Sequence, residues 1–199
     1  MMQKLNFPLQ FQFRITTLAN DFVVTDANGS TVAYVRQKMF RFLEEVVVYR
    51  DREKSEEMYR IKADRWLDFT ASYMLVATNG IIRGRVLRKG WASLWKARYE
   101  LYDDRNKPNL LIQEENPWVK VADTLLGEIP LVGTITGYIF NPSYRVLRMD
   151  GTMVARLRKE PSLLGRQFSV TKLAELDSQE EERLVLGLMM MILLERRRG

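Results

Sequence analysis

Two residue types are missing altogether from the 199-residue chain: cysteine and histidine. Without cysteine there is no disulfide framework, no thiolate nucleophile and no cysteine-ligated zinc. Without histidine, the commonest general base near neutral pH and the commonest metal ligand are gone. Carboxylate, lysine, serine and tyrosine chemistry remain, yet no pair of these has the spacing of a catalytic family. Asp64 with Asp68, and Glu114 with Glu115, come nearest to paired-carboxylate sites, and neighbouring carboxylates on turns and edges ordinarily serve solvation. The expectation is a protein that is not an enzyme and carries no metal or cofactor.

Long apolar runs are also scarce. The longest is Leu184–Leu194, eleven residues. At about 1.5 Å per residue a helix there covers roughly 16 Å, against a hydrocarbon core of about 30 Å, so no transmembrane span is expected. The opening MMQKLNFPLQFQFRITTLA has Lys4 but neither a continuous apolar stretch nor a small-residue cleavage site, and does not read as a signal peptide. Leu9, Phe11, Phe13 and Ile15 alternate there with Gln10, Gln12 and Arg14, the period of a strand. The expected location is the cytoplasm, with any membrane association peripheral.

A third scarcity is local. No acidic residue falls between Asp68 and Glu100, while Arg83, Arg85, Arg88, Lys89, Lys96 and Arg98 all do. The formal net charge is +6, so these six basic residues account for all of it and the rest of the chain is balanced. A field that attracts anions is therefore expected around this window.

What is abundant is self-similarity. Three turns end in glycine: Asp26–Gly29, Thr78–Gly80 and Met149–Gly151. Seven residues before each glycine stand Phe22, Tyr73 and Tyr144; five before stand Val24, Leu75 and Val146. Four after come Ala33, Gly84 and Ala155, and six after come Val35, Val86 and Leu157. A weaker fourth copy centres on Asn106, with Tyr99, Leu101 and Ile112; asparagine is the residue that best replaces glycine at positive φ. Even offsets on both sides of a turn place these residues on one face of a β-hairpin, and Asn-Gly or Asp-Gly predicts a type I′ turn. A further hairpin is expected from Val46–Arg50 to Tyr59–Lys62, with the charged segment Asp51–Glu57 as its solvated tip. Gly127, Gly133 and Gly137 read as part of a bulged strand, and Asn116-Pro117 as the start of a short helix ending at Gly127.

The last segment predicts a firmer helix. Ser178 and Glu181 have the spacing of a capping box, with acids Glu180–Glu182 at its positive end and Arg196–Arg198 at its negative end. Between them LVLGLMMMILL is apolar on every side, which requires burial all round. In a β-rich chain the place that surrounds a helix is the inside of a barrel; a packing helix at an interface is the alternative.

Three stretches, FVVTDANGSTVAYVRQK, YMLVATNGIIRGRVLRK and YRVLRMDGTMVARLRK, followed by the apolar helix, resemble the tubby C-terminal-like superfamily. Within it the pattern is most similar to the LURP-one-related and phospholipid scramblase-like branch, across nearly the whole chain from about Leu18. The resemblance implies one mainly β domain over residues 1–199: a closed antiparallel barrel of about twelve strands around a buried hydrophobic C-terminal helix. It also implies association with lipid, since tubby proteins bind phosphoinositides and scramblases are lipid- and calcium-associated. No run here matches the scramblase acidic calcium segment, and there is no cysteine tract for palmitoylation.

The expected functional surface is the acid-free window. Arg83 and Arg85 are two apart on a strand and so share a face; if Val86 points inward, Arg85 points out. Arg88 and Lys89 follow, and Trp91, Trp95 and Tyr99 interleave with Lys96 and Arg98. Basic residues beside tryptophan and tyrosine suit an anionic phospholipid surface, with aromatic rings at headgroup level. Single-stranded nucleic acid would use the same residue types and ranks below it. The competing readings are a solvated barrel exterior with the tryptophans in the core, and a protein-interaction scaffold without lipid binding. Arg156 holds the repeat position of Arg85, and Arg158 that of Arg36, which would extend the basic residues into a ring.

Overall fold

In a computed structural model of the protein, residues 5–13, 21–38, 45–67, 70–89, 98–115, 142–161 and 166–196 are described. Twelve strands lie among them: β1 (Leu9–Phe13), β2 (Phe22–Thr25), β3 (Thr31–Lys38), β4 (Glu45–Tyr49), β5 (Glu57–Leu67), β6 (Thr70–Ala77), β7 (Ile82–Lys89), β8 (Arg98–Tyr102), β9 (Pro108–Glu114), β10 (Ser143–Arg148), β11 (Met153–Glu160) and β12 (Gln167–Lys172). One helix follows, α1 (Ser178–Arg196). Each strand pairs antiparallel with its sequence neighbours, and β1 closes on β12 through Leu9 opposite Val170, which makes a complete barrel. Closure leaves no unpaired edge for another chain to add to.

The repeat sets the inside of the wall. Phe22, Tyr73, Tyr99 and Tyr144, then Val24, Leu75, Leu101 and Val146, are all buried, as are their cross-strand partners Val35, Val86, Ile112 and Leu157. Residues 184–194 of α1 are buried on every face and share one apolar cluster with these inward side chains. The helix therefore fills the barrel, as its unbroken apolarity requires. Where it passes β8, Gly187 lies against Leu101, and where it passes β7, Gly84 lies against Arg183.

Tyrosine–glutamate pairs fasten the helix near both ends. Tyr59 donates its hydroxyl hydrogen to Glu182 (2.6 Å) and Tyr99 donates to Glu195 (2.6 Å). Around the first turn, Arg148 contacts Glu180 at 3.0 Å and Lys172 contacts Glu181 at 3.3 Å. The N-cap is Asp177, whose Oδ1 accepts from the amides of Gln179 and Glu180 at 2.8 Å each. Ser178, expected as the cap, is already helical: Asp177 also caps well and stands one residue closer to the end of the preceding segment.

The turns differ from the expected type I′. In four hairpins the closing pair is four residues apart (Asp26–Ser30, Ala77–Ile81, Asp103–Lys107, Arg148–Thr152), and among the residues between them only Gly29, Gly80, Asn106 and Gly151 have positive φ. One positive φ rather than two, with a wider closure, marks a type I turn followed by a left-handed residue and a bulge. The bulges recur: the register skips Val32, Met58, Arg83, Asn109 and Val154 in the five hairpins β2–β3, β4–β5, β6–β7, β8–β9 and β10–β11. All five tips lie on one rim, the rim at which α1 enters.

The expected short helix from Asn116 and the strand around Gly127, Gly133 and Gly137 lie outside the described residues.

Candidate anion-binding surface

The bulge of β7 redistributes the acid-free window. Because Arg83 is the skipped residue, strict alternation fails there, and it does not stand beside Arg85. Its Nε lies 3.1 Å from Glu182 Oε1, a carboxylate that is almost wholly buried, and its carbonyl accepts from Arg183. The shared outer face expected for Arg83 and Arg85 is thus corrected: Arg83 neutralises a helix carboxylate at the barrel mouth. Past the bulge, Gly84 and Val86 face in and Arg85 faces out between Met74 and Tyr102.

Arg88 has the parity of Val86 and stands opposite Tyr99, so it too belongs to the inner side, with its Nε buried. Burial raises the phenol pKa of Tyr73 and Tyr99, and the Arg88 charge opposes the rise at both. At Tyr99 and Tyr144 the Glu195 carboxylate adds to the upward effect of burial. Lys89 ends β7, with its side chain outside the described residues; Trp91, Trp95 and Lys96 are outside them entirely. Arg98 is exposed on β8, 3.6 Å from Glu100. Of the eight residues named from sequence, those whose side chains are described on the outer wall are Arg85 and Arg98.

A second set of arginines joins them. Arg98, Gln113, Arg145, Arg156 and Thr171 are successive partners across β8, β9, β10, β11 and β12, forming one transverse row. Arg158 lies two residues along β11, between Ser143 and Ser169. Arg145 donates to Gln113 Oε1 at 3.4 Å, and Arg156 grips Glu115 with Nε at 3.0 Å and Nη2 at 2.9 Å. Ser143 also donates to Glu115 (2.6 Å). Against the upward pull of partial burial, these hydrogen bonds and the charges of Arg156 and Arg145 hold the Glu115 carboxyl below the usual glutamate range. Arg158 is exposed and makes no ion pair among the described residues.

The repeat offsets already pointed to Arg156 and Arg158. Arg145 was legible by the same rule, standing one residue from both inward Tyr144 and inward Val146. The pairing of Glu115 with Arg156 was not, because it joins segments 41 residues apart. Among the described residues no group of three or more carboxylates is placed to hold a metal ion, and no helix is long and apolar enough to cross a membrane. Comparison with protein-family models, with curated proteins and with solved structures gives no match.

Proposed function

We propose that this chain is a non-catalytic, tubby-like barrel that associates with anionic phospholipid headgroups from the cytoplasmic side. The observation that carries the reading is the transverse row of outward arginines on β8, β10 and β11, Arg98, Arg145 and Arg156, with Arg158 beside it; among the described residues these four outnumber the two carboxylates they contact. Each arginine near an acidic leaflet is worth about 1 kcal/mol, falling off within a Debye length. Binding should therefore be weak, additive and salt-sensitive. In the sequence-derived reading Arg83 and Arg88 were docking residues; their contacts in the barrel mouth and interior shift the weight to the β8–β11 wall and Arg85.

Sedimentation with vesicles of phosphatidylcholine alone, and with added phosphatidylserine or phosphatidylglycerol, tests the reading. Retention is expected only on the acidic vesicles and at low salt, with Arg145→Gln plus Arg158→Gln reducing it. Equal retention on neutral vesicles, or none on any, would remove the lipid reading.

A protein-interaction module is the second reading. It is favoured by four exposed large apolar side chains among the described residues, Ile81, Ile82, Met149 and Leu173, all near the hairpin rim. It predicts no vesicle retention, together with loss of partner capture in an Ile81→Ser, Ile82→Ser variant.

A further inference from the structure

On the outer wall between β11 and β12 lies a groove of about 190 Å³, lined by Arg156, Arg158, Glu160, Ser169, Thr171 and Leu173. Its lining is ordered along the strands. Leu173 stands at the hairpin-rim end, followed by Arg156 opposite Thr171 and then Arg158 opposite Ser169, with Glu160 at the far end. Same-face neighbours on a strand are about 7 Å apart. The groove therefore presents an apolar end, a cationic middle flanked by two hydroxyls, and an acidic end.

The groups differ in how much of their bonding is used. Arg156 is pinned by Glu115, so its guanidinium is a fixed wall. Arg158 and Glu160 share the same face of β11, yet make no ion pair with each other or with any other described residue. Two neighbouring charges of opposite sign that do not satisfy each other leave one place for an anion and another for a cation. The volume is below the roughly 300–1,000 Å³ of sites that enclose drug-sized ligands, which suits one small polar group rather than a whole cofactor.

We infer that this groove binds a phosphate ester carrying an ammonium group, a phosphoethanolamine-type headgroup. Its phosphate lies between Arg158, Arg156 and the Ser169 and Thr171 hydroxyls, and its ammonium against Glu160. Arginine meets phosphate through paired N–H donors. Glu160 gives the selectivity, since it attracts an N–H cation and repels a second anion. An apolar substituent on the phosphate would run toward Leu173 and the rim that carries Ile81, Ile82 and Met149. The ligand chemistry rests on the groove alone, whereas a lipid source for it rests on the vesicle reading above.

Calorimetric titration with phosphoethanolamine, and separately with glycerol phosphate, tests the ligand. Phosphoethanolamine should bind more tightly by roughly fivefold, the value of one exposed ion pair. Glu160→Gln should erase that preference while sparing glycerol phosphate; Arg158→Gln should weaken both. Both side chains lie on the outer wall, so unchanged thermal midpoints will show that the variants remain folded. The inference is overturned if neither ligand saturates the protein, if Glu160→Gln leaves the preference intact, or if Arg158→Gln leaves both affinities unchanged. Acidic phosphatidylcholine–phosphatidylglycerol vesicles at low salt, with and without added phosphatidylethanolamine, then identify the source. Retention that rises with phosphatidylethanolamine, with the rise lost in Glu160→Gln, supports the lipid. Soluble binding with no gain in retention from phosphatidylethanolamine supports the free ester, while loss of all retention on the acidic vesicles counts against the membrane reading alone.

Discussion

Gly187 offers the most direct test of a helix threaded through the barrel. It sits in mid-helix, where alanine would ordinarily stabilise by about 1 kcal/mol. In this fold a Cβ at that position would overlap Leu101 Cδ2 and stand 3.1 Å from its Cγ. Leu101 is wholly buried and held in the closed wall between β7 and β9. Overpacking such a site costs about 1–3 kcal/mol, so Gly187→Ala should be neutral to destabilising by about 2 kcal/mol. Leu101→Ala alone should cost about 2–5 kcal/mol through lost burial and a cavity. Within that variant the obstruction is gone, and Gly187→Ala should then stabilise by about 1 kcal/mol. Urea unfolding of the four proteins, compared through their midpoints at constant slope, gives the coupling. A coupling of about 1–3 kcal/mol with a change of sign is expected. If Gly187→Ala stabilises equally in both backgrounds, the helix does not pass β8 at this point and the threaded barrel is wrong.

Gly84 should be less tolerant still. Its φ of +148° and the Tyr102 carbonyl and Arg183 side chain facing it predict that Gly84→Ala destabilises by about 3 kcal/mol or more in the same assay. Leu188→Asp should abolish folding, seen as loss of the cooperative thermal transition, because an unpaired charge in a closed core costs several kcal/mol. In alkali, Tyr99 and Tyr144 should stay protonated while the barrel is folded, their pKa being raised by burial and by Glu195. Their stabilising contribution is complete below the ordinary tyrosine pKa of about 10 and is lost as pH rises beyond it. Tyrosinate absorbance should therefore show their ionisation only together with unfolding; early titration of all tyrosines would refute it. On the acid side, Glu115 has a lowered pKa, so its contribution is present above the unfolded glutamate range and is lost as pH falls through its folded value. Ser143→Ala, measured by acid denaturation, should shift that loss toward higher pH.

The barrel was legible because inward residues recur at fixed offsets from a glycine or asparagine at positive φ, and each offset marks a side of the wall. The helix was legible because LVLGLMMMILL leaves no face for water. What escaped the sequence was the bulge that each wider turn imposes. Alternation counted from Val86 runs correctly through Arg85 and fails at Arg83, the skipped residue, so a residue expected on the face of Arg85 pairs with Glu182 instead. Arg88 is hidden for a different reason: a charge at an inward position looks anomalous in a linear pattern until Tyr73 and Tyr99 are seen around it. The anchors of the helix join residues about 100 positions apart, Tyr59 to Glu182 and Tyr99 to Glu195, and no local spacing reports them.

The closure of β1 on β12 also dictates when the molecule can first exist. Leu9 finds its partner about 160 positions downstream, and the side chains that fill the interior arrive later still, in residues 178–196. At roughly 5–20 residues per second, a ribosome takes about ten to forty seconds to supply them, and until then the hairpins have no shared interior to pack against. All twelve strands of the wall are made before its filling, so the nascent chain must keep its aromatic faces from sticking elsewhere. Non-local pairing of this kind slows folding, and it places the protein's greatest exposure to aggregation or chaperone capture in its own synthesis.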